Sequence, residues 1–193
     1  MIQLADMTAE EVHYSHRTTV PGSYRTGLIK AYPIRGVDLD VASSIWRSKP
    51  DSFLVITGST PIRRTSVGAN WVAQSTDDWR YWTEADYVEN QKTLQHYKVM
   101  AEKLPGSQDV VDQYHNYERD LLRLESYPNV FFDGIGDTGF WPNEVRPLMT
   151  CLQERMRAEV PTAMAIDVGI LEKVPEWNRI IESMSSVVID LDV

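Results

Sequence analysis

The chain has 193 residues, 42% apolar and 24% charged, with a formal net charge of −9 and a single cysteine, Cys151. That length suits one domain, which buries roughly 70% of the surface its unfolded chain exposes; the composition excludes wholesale disorder, and one cysteine excludes an internal disulfide or a multi-cysteine metal site. No apolar run approaches the roughly 20 residues of a spanning helix, and Met1 to Glu11 has neither the basic start nor the apolar stretch of a secretory leader, so a cytoplasmic protein is expected.

Charge is unevenly spread: residues 1–64 carry 8 Lys/Arg against 6 Asp/Glu, and residues 65–193 carry 11 against 22. General nucleic-acid binding needs cations that displace counterions from phosphates, which this balance opposes. The patch Arg17, Arg25, Lys30, Arg35, Arg63 and Arg64 reads as ordinary surface charge.

In chain order, residues 1–82 form a β-rich part. Val12 to Val20 alternates and becomes β-branched before Pro21-Gly22 stops it. Asp40 to Lys49 reads as a short helix closed by Pro50. Phe53 to Thr57 is an apolar strand ended by Gly58 and Pro61. Residues 62–82 fit either strand or irregular structure.

The middle is a helical hairpin over about 83–126. Thr83 with Asp86 three positions on is an N-cap signature, and Tyr87, Leu94, Tyr97, Ala101 and Leu104 share one face. Pro105-Gly106 breaks the helix and Ser107 can cap the next. In the second helix Val110, Val111, Tyr114, Tyr117, Leu121 and Leu122 form an apolar stripe. Two helices of about 20 residues, each about 30 Å long, pack antiparallel across so short a turn.

Residues 127–193 alternate as strand–helix–strand–helix–strand. Val130 to Phe132, Ala163 to Val168 and Val187 to Ile189 are the strands. Val145, Leu148, Met149, Leu152 and Met156 mark one helix, and Glu176 to Met184 the other. This order predicts an α/β (or α+β) layered sheet, at least partly parallel in the C-terminal third, with the hairpin inserted or packed as a cover.

Gly134-Ile135-Gly136-Asp137-Thr138-Gly139 follows a strand and matches G-x-G-x-x-G. Asp137 would put negative charge in a phosphate cradle, the next helix starts only after Pro142, and Asp167 lies too far downstream to bind a ribose. A tight loop with positive φ angles is the better reading. No G-x-x-x-x-G-K-[ST], H-E-x-x-H or G-x-S-x-G occurs. His96 and His115 lie at one height on the hairpin but off its apolar stripes, which fits solvated side chains. Cys151 borders an apolar face and reads as a packed thiol.

Two constellations remain. Asp133, Asp167 and Asp190 fall at strand C-terminal ends, where open α/β sheets bind ligands. With Asp137 they could hold Mg²⁺ or Mn²⁺ for a reaction on a phosphate-containing substrate. Trp71, Trp79, Arg80, Tyr81, Trp82 and Tyr87 crowd a polar stretch containing Asp77 and Asp78, and such residues anchor interfaces. The absence of a catalytic motif, the aromatic cluster and the acidity favour a non-enzymatic interaction or assembly protein. Its partner would be another protein or copies of itself, as for a phage structural or connector subunit or an acidic antagonist. A divalent-metal-dependent enzyme using the strand-end aspartates is the alternative.

Overall fold

The computed structural model describes residues 19–20, 40, 53–74, 79–183 and 186–192. Its strands are β1 (Thr19–Val20), β2 (Phe53–Gly58), β3 (Trp79–Thr83), β4 (Val130–Ile135), β5 (Thr162–Asp167) and β6 (Ser186–Asp190). Its helices are α1 (Pro61–Gln74), α2 (Glu84–Lys103), α3 (Gln108–Ser126), α4 (Pro142–Arg157), α5 (Val168–Lys173) and α6 (Pro175–Ser183). They build one six-stranded sheet in the order β1-β3-β4-β5-β2-β6, with β2 to β6 parallel and β1 antiparallel at the edge.

Chain direction explains which helix covers which face. From β2 the chain runs to β3, three places along the sheet, through α1. Every later connection runs the opposite way, through α2–α3, α4 and α5–α6. Crossovers of one hand that travel in opposite directions must use opposite faces. Accordingly α1 packs Val67, Ala69, Trp71 and Val72 on Leu54, Ile56, Phe131, Ala163 and Ala165. The other face buries Phe53, Val55, Phe132, Met164 and Ile166 beneath residues of α2, α3, α4 and α6. The last strand does not pair with β5: it passes beyond β2, and Thr57 lies opposite Asp190.

Residues 62–82 resolve into α1 and β3. Gly68 sits in mid-helix, where glycine ordinarily costs about 1 kcal/mol relative to alanine. Here it admits the Phe131 ring, whose Cζ lies 2.1 Å from where a β-carbon would stand. Most of the expected 12–20 strand and 40–49 helix, the four N-terminal basic residues, and Asp77 and Asp78 lie outside the described residues.

The hairpin is present, with Thr83 Oγ1 accepting from the Asp86 N–H at 3.0 Å, but its stripes are only partly buried. Tyr87, Val88, Leu121 and Leu124 join the core at its base, whereas Val99, Leu104 and Leu122 are 44%, 47% and 57% exposed. Val99 and Leu104 lie in the outer half, towards the Pro105-Gly106 turn, where the two helices meet through contacts such as the stacked Tyr97 and Tyr117 rings at 5.7 Å. Leu121→Ala is expected to cost about 2–5 kcal/mol in a denaturant melt, because it opens a cavity at the hairpin base. Among the described residues no helix is long and apolar enough to cross a membrane.

Burial overturns the expected aromatic interface. Trp71, Trp79, Tyr81, Trp82 and Tyr87 are all buried. Trp71 meets Trp79 edge-on at 4.5 Å, Tyr81 tilts on Phe131, and Tyr87 meets Trp82 and Phe132. Arg80 is half-buried with its guanidinium 4.4 Å over the Tyr127 ring. Strand β3 lies inside the sheet with both faces covered, so alternate side chains enter two different cores and leave no common outward surface.

Candidate functional site

The C-terminal edge of the parallel strands gathers a polar cluster on the α1 side. Asp133 is buried at the end of β4. It accepts from Thr65 Oγ1 at 2.8 Å, Tyr81 Oη at 2.5 Å and the Gly134 N–H at 2.9 Å. Thr65 comes from α1 and Tyr81 from β3, so three elements meet on one carboxylate. Burial raises the Tyr81 phenol well above its ordinary pKa, and the neighbouring Asp133 charge adds to that.

Beside it, Arg64 of α1 is fully buried. Its guanidinium donates to the Gly58 carbonyl and to Asp137, and lies 3.6 Å from Asp167. Desolvating a guanidinium is costly unless carboxylates and carbonyls replace water; these three groups do so for its two terminal nitrogens, while Nε is buried without a hydrogen-bond partner. The pairing of β4 with β5 shifts register between Phe132 and Ile135, around Asp133-Gly134, and the glycine run continues past the strand's end at Ile135. Gly134, Gly136 and Gly139 all have positive φ, a region open to glycine without penalty. Gly136 is also crowded, since a β-carbon there would lie 2.8 Å from Ile170 Cβ.

Glu84, the first residue of α2, holds that loop. Its Oε2 accepts from the Thr138 hydroxyl at 2.5 Å and the Gly136 N–H at 3.2 Å. Burial raises its carboxyl pKa, although those two hydrogen bonds act in the other direction.

Of the four aspartates expected to converge, two meet at Arg64 and a third is held separately beside it. Asp133 reaches the cluster through Thr65, and Asp137 and Asp167 reach it through Arg64. Asp190 does not join them. It pairs in register with Thr57, whereas Asp167 pairs with the next residue, Gly58. Successive strand residues face opposite ways, so Asp190 lies on the other side of the sheet. It accepts instead from the Asp192 N–H at 3.0 Å. The expected Asp133–Asp167–Asp190 cation site is corrected accordingly, and among the described residues no three His, Cys, Asp or Glu side chains are grouped to hold a metal ion.

Gly58, Arg64 and Thr65 escape a search for strict motifs. The run Gly58-Ser59-Thr60-Pro61-Ile62-Arg63-Arg64-Thr65 has the spacing of the phosphate-binding loop G-x-x-x-x-G-K-[ST], with arginine at the second glycine and at the lysine. It joins a strand to a helix, as that motif does. Thr65 falls where the motif's hydroxyl residue binds Mg²⁺, and Asp133 where a strand-end aspartate assists it. The departures are as informative. Helix α1 begins at Pro61, so only Ser59 and Thr60 separate it from β2 and the long backbone cradle is absent. The Ser59 N–H donates to Asp192 Oδ2 at 2.6 Å, and Arg63 donates to the Leu191 carbonyl at 2.7 Å.

The other sequence candidates lie elsewhere. His96 and His115 are exposed on the hairpin. Cys151 is buried, and desolvation pushes its thiol pKa up to about 12, which removes thiolate character at neutral pH. No protein-family model matches this chain, and a search of curated proteins finds no significant match.

Proposed function

We propose that this chain is a non-hydrolysing protein built on a phosphate-loop-type strand–turn–helix, and that it acts by contacting another protein or copies of itself. One observation carries the proposal. Arg64, at the position where such loops present a lysine to phosphate, is buried and engaged by Asp137, Asp167 and the Gly58 carbonyl. Its charge is already neutralised from within the chain. A polyphosphate entering there would meet Asp133, Asp137 and Asp167, and the few free N–H groups of a two-residue turn could not offset that repulsion.

The hairpin supports the contact role. Its outer half exposes Val99 and Leu104, and Leu122 adds exposed apolar surface on the outer side of its base, which a partner would cover. An acidic surface suits a basic partner, and a subunit of a larger intracellular assembly or an acidic antagonist fits this set of features.

The second reading, a divalent-metal-dependent enzyme acting on a phosphate-containing substrate, draws on the Thr65–Asp133 pair alone. Calorimetric and thermal-shift titration with Mg²⁺- or Mn²⁺-ATP separates the two. The expected result is no saturable heat, no phosphate release above the protein-free rate and no rise in melting temperature. A ligand at 100 times its Kd would add about 2.7 kcal/mol of stability. Saturable binding or metal-dependent phosphate release would replace the proposal with the second reading.

A further inference from the structure

Strand β6 pairs with β2 on one side, and among the described residues no strand lies beyond it. Its register with β2 runs unbroken from Ser186 to Asp190, so no bulge twists this edge away, and the strand contains neither lysine nor proline. An edge without those devices is a template for another strand. Val187 and Val188 are 37% and 50% exposed. Successive strand residues face opposite ways, so this edge presents apolar surface on both sides of the sheet.

The ladder fixes which backbone groups face outward. The Leu191 N–H donates to the Thr57 carbonyl at 2.9 Å, and Thr57 stands in register with Asp190. In a parallel pair that arrangement turns the backbone groups of Val187, Ile189 and Leu191 towards β2. Ser186, Val188 and Asp190 therefore direct their N–H and C=O groups away from it.

A second copy of the same strand fits this phase. With a two-fold axis at Val188, that residue meets Val188 of the second copy, and the two exchange both N–H···O=C bonds. Ser186 then stands opposite Asp190, and Val187 opposite Ile189, so apolar positions meet apolar ones along the strand. The chain carries a net charge of −9, yet no acidic residue of β6 faces another. The two Asp190 residues lie four strand positions apart, roughly 14 Å, which exceeds the screening length of about 8 Å at physiological salt. Moving the axis to Ile189 would instead set Asp190 against Val188.

We propose that two copies of this chain pair through β6, antiparallel about a two-fold axis at Val188, and join their sheets into one. This rests on the reading that the chain acts by contact; it names a second copy as the partner and β6 as the surface.

Sedimentation of the full chain at several loading concentrations tests the pairing, with a concentration-dependent dimer expected. Val188→Lys, at an exposed position and with its melting temperature checked, sets like charges opposite each other at the axis. It is expected to weaken dimerisation about tenfold. Val188→Glu is expected to do the same, and an equimolar mixture of the two variants to dimerise again, because this axis sets position 188 against itself. In the unaltered chain the outward Val188 amide is expected to gain protection from hydrogen exchange as concentration rises. That measurement decides if a variant does not fold. A monomer at every concentration, a dimer that Val188→Lys leaves intact, a mixture that stays monomeric or an unprotected Val188 amide would overturn the assignment. Saturable Mg²⁺-ATP binding would overturn the non-hydrolysing reading and leave the sedimentation result unchanged, so the two failures are distinguishable.

Discussion

Replacing Arg155 with methionine is expected to destabilise the protein by about 3–5 kcal/mol and to lower its melting temperature by on the order of 10 °C. Arg155 lies in α4 and is fully buried. Its guanidinium donates to the carbonyls of Leu124 at 2.6 Å, Tyr127 at 2.7 Å and Pro161 at 2.8 Å, and its Nε donates to Thr162 Oγ1 at 3.0 Å. The first two carbonyls belong to the end of α3 and the residues after it, where helix carbonyls lose their intrahelical partners. One side chain therefore closes the C-terminus of the hairpin and ties it to α4 and the start of β5. Burial pulls its pKa down to about 10, so it remains charged at neutral pH. Methionine keeps much of the volume but orphans several acceptors at once, each costly to leave unpaired. Arg155→Lys is expected to recover only part of the loss, because one ammonium cannot span acceptors on both sides of the fork. Chemical denaturation of the unaltered chain and the two variants reads this directly, and a midpoint left unchanged by Arg155→Met would refute the clamp.

Trp79→Ala is expected to cost about 3–5 kcal/mol and to compromise folding rather than association. Trp79 is 3% exposed and meets Trp71 edge-on, so truncation removes both its own burial and the support of a second ring. Its indole N–H has no partner, a modest cost in the native state that alanine relieves, but the cavity dominates because far more apolar area is lost. Circular dichroism melts combined with light scattering give the measurement. Early unfolding at unchanged mass is the expected outcome; an unchanged melt with reduced assembly would restore the interface that the sequence suggested.

Those two residues show where sequence reading stopped. Helices α2 and α3 were legible because their boundaries are chemical and local: Thr83 caps one, Pro105-Gly106 ends it, and apolar residues recur at the helical period. Strands β2, β4 and β5 were legible as short apolar runs. Helix α1 was not, since Arg63 to Asn70 combines β-branched, polar and glycine residues of modest helix propensity. Packing on the sheet supplies what propensity lacks, and Gly68 becomes an asset only once Phe131 lies across it.

The candidate site divides in the same way. That aspartates close β4, β5 and β6 is written in the sequence, as are the spacing from Gly58 to Thr65 and the absence of the lysine. Which aspartates meet is decided by register, because a one-residue offset between Gly58 and Thr57 sends Asp167 and Asp190 to opposite faces. Whether Arg64 is free for a ligand is decided by the fold of the glycine run, which carries Asp137 back onto it from 73 residues away. The aromatic residues from Trp71 to Tyr87 have identical chemistry on a surface or in a core. Only the covering of β3 by neighbouring strands and helices made them core, for burial is a property of the assembled layers and not of the segment that carries the rings.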